Sequence, residues 1–122
     1  MANLLGVLSI FLIRYLDAQP ELVVDAMAPI VAARDIKLWY QHILAGILCG
    51  ICIQIAVNNY KGNKSYWGVI LPVMTFIMIG GEHCIADTFY YAWAPWSIAH
   101  MIQILEVFFG NLIGAVLVVF AS

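Results

Sequence analysis

Charge is what this chain has least of. Five Lys or Arg and seven Asp or Glu make up 10% of 122 residues, whereas 65% are hydrophobic. A water-soluble domain of that length needs far more polar surface to cover itself. With a mean hydropathy of +0.97, the chain therefore reads as an integral membrane protein. No run of Lys or Arg offers a nucleic-acid footprint or an amphipathic surface helix, and the net charge of -2 excludes nucleic acid as a partner. Nor does a positive charge precede the apolar stretch Met1 to Ile13. The first charge, Arg14, follows it, so no cleaved signal peptide is expected. The three cysteines, Cys49, Cys52 and Cys84, are odd in number and lie in apolar segments, which implies no disulfide framework.

What the chain does have is apolar runs. A helix needs about 20 residues to cross a hydrocarbon core of about 30 Å. Residues 1–16 make a partial span ending in Arg14, with Asp17 just beyond. Residues 39–57 fit one crossing and residues 101–121 another, although the latter contain Glu106. Residues 66–96 are too long for one straight span and too short for two with a turn. A single broken helix resolves the mismatch, with Pro72 near its middle and the break around Thr75 to Gly81. Such a break survives in a bilayer only where its freed backbone groups face protein or a wet cavity. The expected fold is thus an all-α single membrane domain, residues 1–122, with roughly four transmembrane segments.

The connections set an orientation. Residues 58–65 carry Lys61 and Lys64 with no acid, whereas the linker 17–38 holds Asp17, Glu21, Asp25 and Asp35 against Arg34 and Lys37. The positive-inside rule puts the basic loop, and with it both termini, in the cytoplasm, and the linker outside. That linker includes a plausible helix, Glu21 to Ala33, weakened by Pro29. Trp39, Tyr40, Tyr66, Trp67, Tyr90, Tyr91, Trp93 and Trp96 cluster at span ends, where amphipathic rings favour the headgroup level.

The break holds the most informative residues. Gly80 and Gly81 directly precede Glu82 and His83 inside the apolar sequence TFIMIGGEHCIA. Ionisable groups at membrane depth are costly and mark transport paths, and glycines let a helix open there. Burial keeps an imidazole neutral until an anion arrives, whose charge then favours protonation. A weak-acid anion sharing that proton would cross with less net charge. Two further patterns accompany the break. ANLLGVL (Ala2 to Leu8) is echoed by GNLIGAVL (Gly110 to Leu117), as two corresponding helices of inverted halves would be. Small residues four apart, Ala2 with Gly6, Gly46 with Gly50 and Gly110 with Gly114, allow helices to approach closely.

Three motifs in order resemble the formate/nitrite transporter family. GILCGIC (Gly46 to Cys52) is similar to its G-I-L-C-N-W-L-V-C, GGEHCIADTF (Gly80 to Phe89) to G-F-E-H-S-V-A-N-M, and FFGNLIG (Phe108 to Gly114) to T-L-G-N-I-I-G. With ARDIK before the first motif and NLLG at the start, the likeness covers nearly the whole chain. It implies half of an aquaporin-like fold of two inverted repeats, each with a broken middle helix, assembled as pentamers with one pore per subunit. On that plan residues 1–16 correspond to the end of the third span and the rest to spans four to six. The first repeat's wall of the pore then has to come from another chain, from an inverted copy of this one, or from more of the same polypeptide.

The resemblance also implies roles. His83 is the pore histidine, and Phe76, seven residues earlier, is a constriction ring that strips water from a passing ion. Thr75 and Gly50 line the path, and Arg34, assisted by Lys37, gathers anions at the external mouth. Glu82 accepts the amides freed at the break, supported by Gly80, Gly81 and Asn111. The implied function is a channel or transporter for small monovalent weak-acid anions (formate, nitrite, hydrosulfide or a short monocarboxylate) in the bacterial inner membrane. It is not an enzyme and uses no cofactor. The chain departs from the family pattern at Gly50, in place of asparagine, at Cys84, in place of serine, at Asp87, in place of asparagine, and at Glu106. The added acids disfavour anions if ionised near the path. One competing class is therefore a non-conducting membrane subunit or remnant. Another is a haem or metal protein using His42, His83, His100 or Cys49-x-x-Cys52, but that pair has no partner pair and no C-x-x-C-H is present.

Overall fold

The structure, a computed structural model, describes residues 2–16, 20–95 and 97–122; Met1, Asp17 and Trp96, named above, lie outside them. The described residues form six helices and no strand: α1 (Ala2–Leu16), α2 (Pro20–Asp35), α3 (Trp39–Asn63), α4 (Trp67–Met78), α5 (Cys84–Ala92) and α6 (Ile98–Ala121). Among the described residues, α3, with 25 residues, and α6, with 24, are the helices both long and apolar enough to cross a membrane, and α4 is apolar but shorter.

Glycine decides how α3 and α6 meet. Gly110 lies against the Ile43 carbonyl, Gly46 against the Val107 carbonyl and Gly114 against the Ile47 carbonyl, so the two helices run parallel in register. A Cβ at Gly46 would stand 2.8 Å from the Val107 oxygen, and one at Gly50 would fall on the Asn111 carbonyl. No side chain larger than hydrogen fits, and the backbones pack directly. Gly6 does not take this role among the described residues, because the space around it is open.

α4 runs back along α3. Asn59 sits beside Gly68, Cys49 beside Gly81, and the Glu82 amide donates to the Ala45 carbonyl at 3.3 Å. Two details differ from the sequence expectation. First, α3 continues six residues past Val57, through what was read as a loop, to a left-handed cap at Lys64, φ 53°, whose amide donates to Tyr60. Loss of apolarity ends a span, but only a residue that disrupts the backbone ends a helix. Second, Pro72 does not contribute to the break. α4 passes through it, and the Gly68 carbonyl that Pro72 leaves without its helical donor accepts from the Asn59 side chain at 3.4 Å.

The helix stops instead at Ile79, where Gly80 turns to φ +71° and the Gly81 amide reaches back to the Phe76 carbonyl at 2.8 Å. Residues 79–83 are non-helical, and α5 restarts at Cys84. Its far end is tied down by Arg14 of α1, which donates to the Ala92 and Ala94 carbonyls left free at the helix C-terminus. α2 is a full helix despite Pro29, and its Val31 packs with Tyr91 and Ala94 in a small core. Tyr91 also stacks on His100 of α6 at 4.4 Å and donates to Gln103 at 2.6 Å. Large apolar side chains elsewhere, such as Leu12, Leu44, Leu71, Ile77 and Phe120, stand exposed as lipid-facing or partner-facing residues do.

Candidate functional site

The site is the gap between α4 and α5, and α3 and α6 frame it. His83 is extended, at φ -118° and ψ 120°, and caps α5 by accepting the Ile85 amide on Nδ1 at 3.2 Å. An accepting Nδ1 leaves the proton of a neutral ring on Nε2, which is then the nitrogen free to donate to a ligand. The half-buried ring borders a groove of about 240 Å³ whose lining includes Gly50, Gln54, Cys84, Phe108 and Asn111. The N-terminus of α5 lies beside it, with its first amides taken by the His83 ring and the Asn111 side chain, so that it offers a passing anion the helix dipole rather than free donors.

Asn111 holds the gap open. Its amide nitrogen donates to the Gly46 carbonyl at 2.9 Å and to the Glu82 carbonyl at 2.8 Å, while its oxygen accepts the Cys84 amide at 3.0 Å. One side chain thereby joins α3, the break and the start of α5, satisfying groups that a broken helix would leave exposed. It can reach all three only because the glycine seam brings α6 against α3.

Behind the groove lies a charge cluster. The Glu82 carboxylate, 1% exposed, accepts from Lys37 Nζ at 2.6 Å and from His42 Nδ1 at 2.7 Å. Its partners are thus side chains from the α2–α3 corner rather than the amides expected of it. Those amides go to Asn111, His83, Phe76 and Ala45. One turn into α5, buried Asp87 pairs with Arg34 Nε at 2.7 Å, and the guanidinium lies 4.6 Å from the centre of the Tyr90 ring. Each buried acid has its own cation, so the charges of Glu82 and Asp87 are matched locally rather than projected toward an anion.

The residues named from sequence therefore fall into three places. His83, Gly50 and Asn111 border one groove. Arg34 is in the ion pair with Asp87. Thr75, Phe76, Gly80 and Gly81 form the turn that ends α4, where the Thr75 hydroxyl is spent on the Leu71 carbonyl at 2.8 Å and the Phe76 ring is half-buried. Glu106 is half-buried on α6. Sequence reasoning missed His42 as a partner of Glu82. A signal existed, because His42, Gly46, Cys49 and Gly50 recur at helical spacing on the buried face of α3. Among the described residues no three His, Cys, Asp or Glu side chains converge as a metal site requires.

Ionisable groups buried beside two bilayer-length apolar helices fit a membrane transport protein, the class in which such groups commonly border a path. The family model for formate/nitrite transporters matches residues 1–122, and the chain belongs to that family, one of membrane anion transporters and not of enzymes. No match was found among curated proteins or among solved structures.

Proposed function

We propose that the chain forms one wall of a path for small monovalent anions of weak acids, such as formate, nitrite, hydrosulfide or a short monocarboxylate, with His83 as the group they meet. The observation that carries this reading is the capped imidazole: Nδ1 is held by the Ile85 amide, and the ring borders an open groove. An anion there accepts from Nε2–H and can share the ring's proton. Matching of Glu82 by Lys37 and His42, and of Asp87 by Arg34, removes the repulsion these acids would otherwise exert. Phe76 screens hydrated ions, and Thr75 and Gly50 complete this side of the path.

In this reading α4 and α5 are the two halves of a broken transmembrane segment in half of an aquaporin-like inverted repeat. The opposite wall comes from a second repeat, in the same polypeptide or another, within a pentamer. The protein is multi-pass in the bacterial inner membrane with both termini cytoplasmic. The test is acid-driven uptake of formate or nitrite into proteoliposomes holding this chain with a completing repeat. Uptake abolished by His83→Ala and absent from empty vesicles is expected, and no flux with a verified partner present sinks the proposal. A non-conducting subunit is the second reading. Gly50 favours it, since the backbone contact it makes with Asn111 leaves no polar side chain where the family motif has asparagine.

A further inference from the structure

At the end of the molecule far from the charge cluster, one face of α3 and one face of α4 flank a groove of about 480 Å³. Its walls are apolar side chains, including Ile53, Val57, Val69 and Val73, and its open end is rimmed by Tyr60, Lys61 and Tyr66. The two tyrosine rings lie 6.5 Å apart, and Lys64, just past the end of α3, rests its ammonium 5.1 Å from the centre of the Tyr60 ring. Lys61 is exposed and has no carboxylate partner among the described residues. None is near in sequence either: no Asp or Glu occurs anywhere between Asp35 and Glu82. The feature is therefore dry along its length and cationic at one end, with aromatic hydroxyls at the level where the apolar surface stops.

We propose that this groove binds one anionic phospholipid, with an acyl chain lying between α3 and α4 and the phosphate held by Lys61 and Lys64. The charge pattern selects the occupant. A protein segment burying this face would have to bring an acid to Lys61, whereas an anionic headgroup supplies the charge and its tail fits the apolar walls in the same molecule. Tyrosines at the rim suit the headgroup region, where one edge of the ring is dry and the hydroxyl is wet. A bound lipid would also brace the α3–α4 corner, from which α4 runs to the break, so occupancy would be read as stability as well as binding.

The test is native mass spectrometry of the full chain released from detergent after incubation with phosphatidylglycerol or with phosphatidylcholine of the same acyl chains. The anionic lipid should be retained as a single adduct roughly tenfold more than the zwitterionic one, the discrimination expected of one or two lysines at an anionic surface. The double substitution K61Q/K64Q, at exposed positions whose effect on folding is checked by circular dichroism, should abolish that preference. Val69→Phe, which fills the groove, should lower retention of both lipids. Equal retention of the two lipids overturns the proposal, as does a preference unchanged in K61Q/K64Q. A photo-crosslinker at Val69 that captures a second copy of the chain instead of lipid overturns it as well. None of these outcomes depends on flux through the His83 groove, so this inference and the transport reading fail separately.

Discussion

Arg34 and Asp87 show how a single charge is tolerated in this chain. Their pair spans 2.7 Å, with the carboxylate 1% exposed and the arginine 16% exposed. The two ends are therefore unequal. Arg34→Ala strands a buried carboxylate and should destabilise the fold by about 3 kcal/mol, since breaking a buried pair leaves an uncompensated charge. Asp87→Ala leaves a guanidinium that still has the Tyr90 face and the Ile30 carbonyl, and it should be milder. The apolar double substitution R34M/D87L should be less damaging than Arg34→Ala alone, because it removes the desolvated charges together. Unfolding midpoints of the wild type, R34A, D87A and R34A/D87A in one detergent check the coupling as a double-mutant cycle, with R34M/D87L measured beside them. Additive losses would mean that the pair is not coupled.

At the scale of helices, the seam between α3 and α6 sets everything that Asn111 can reach. Gly50→Asn restores the residue of the family motif, yet its Cβ would fall on the Asn111 backbone carbonyl, which cannot rotate away. The substitution should push the helices apart and destabilise by about 2 kcal/mol or more, the scale of overpacking. A lower unfolding midpoint together with lost flux is the expected result, and a stable protein with raised flux would show that the seam opens easily. That glycine pattern was legible in the sequence because it is local, although the open space around Gly6 shows that the spacing permits close approach without requiring it. The non-helical stretch 79–83 falls where two glycines precede two ionisable residues, which is likewise a local signal. The end of α3 was not legible, since Asn58 and Asn59 are polar enough to leave the bilayer but do not stop a helix. Pro72 misled in the opposite direction, because the carbonyl it leaves free is met by Asn59, a residue of another helix.

Over the whole molecule, the acids Glu21, Asp25, Asp35, Glu82, Asp87 and Glu106 belong to α2, α5, the break and α6, while Lys61 and Lys64 stand at the opposite end of α3. The partnerships within the cluster were beyond sequence reasoning. Lys37 meets Glu82 across 45 residues and Arg34 meets Asp87 across 53, so both depend on where α2 lands on α5. The same packing leaves the His83 groove open on one side, and Cys84 can report that opening. Cys84 is half-buried on the groove, whereas Cys49 is fully buried behind Gly81. In this chain alone, a water-soluble thiol reagent should modify Cys84 before Cys49, which stays untouched until the protein unfolds. Assembly with a completing repeat should slow modification of Cys84, and formate in excess should slow it further by occupying the space beside His83. Mass spectrometry of the labelled peptides over time gives both rates. A Cys84 that reacts equally fast alone, assembled and with formate would mean that the groove faces no partner and holds no anion, whereas slowing by the partner alone would support a non-conducting assembly.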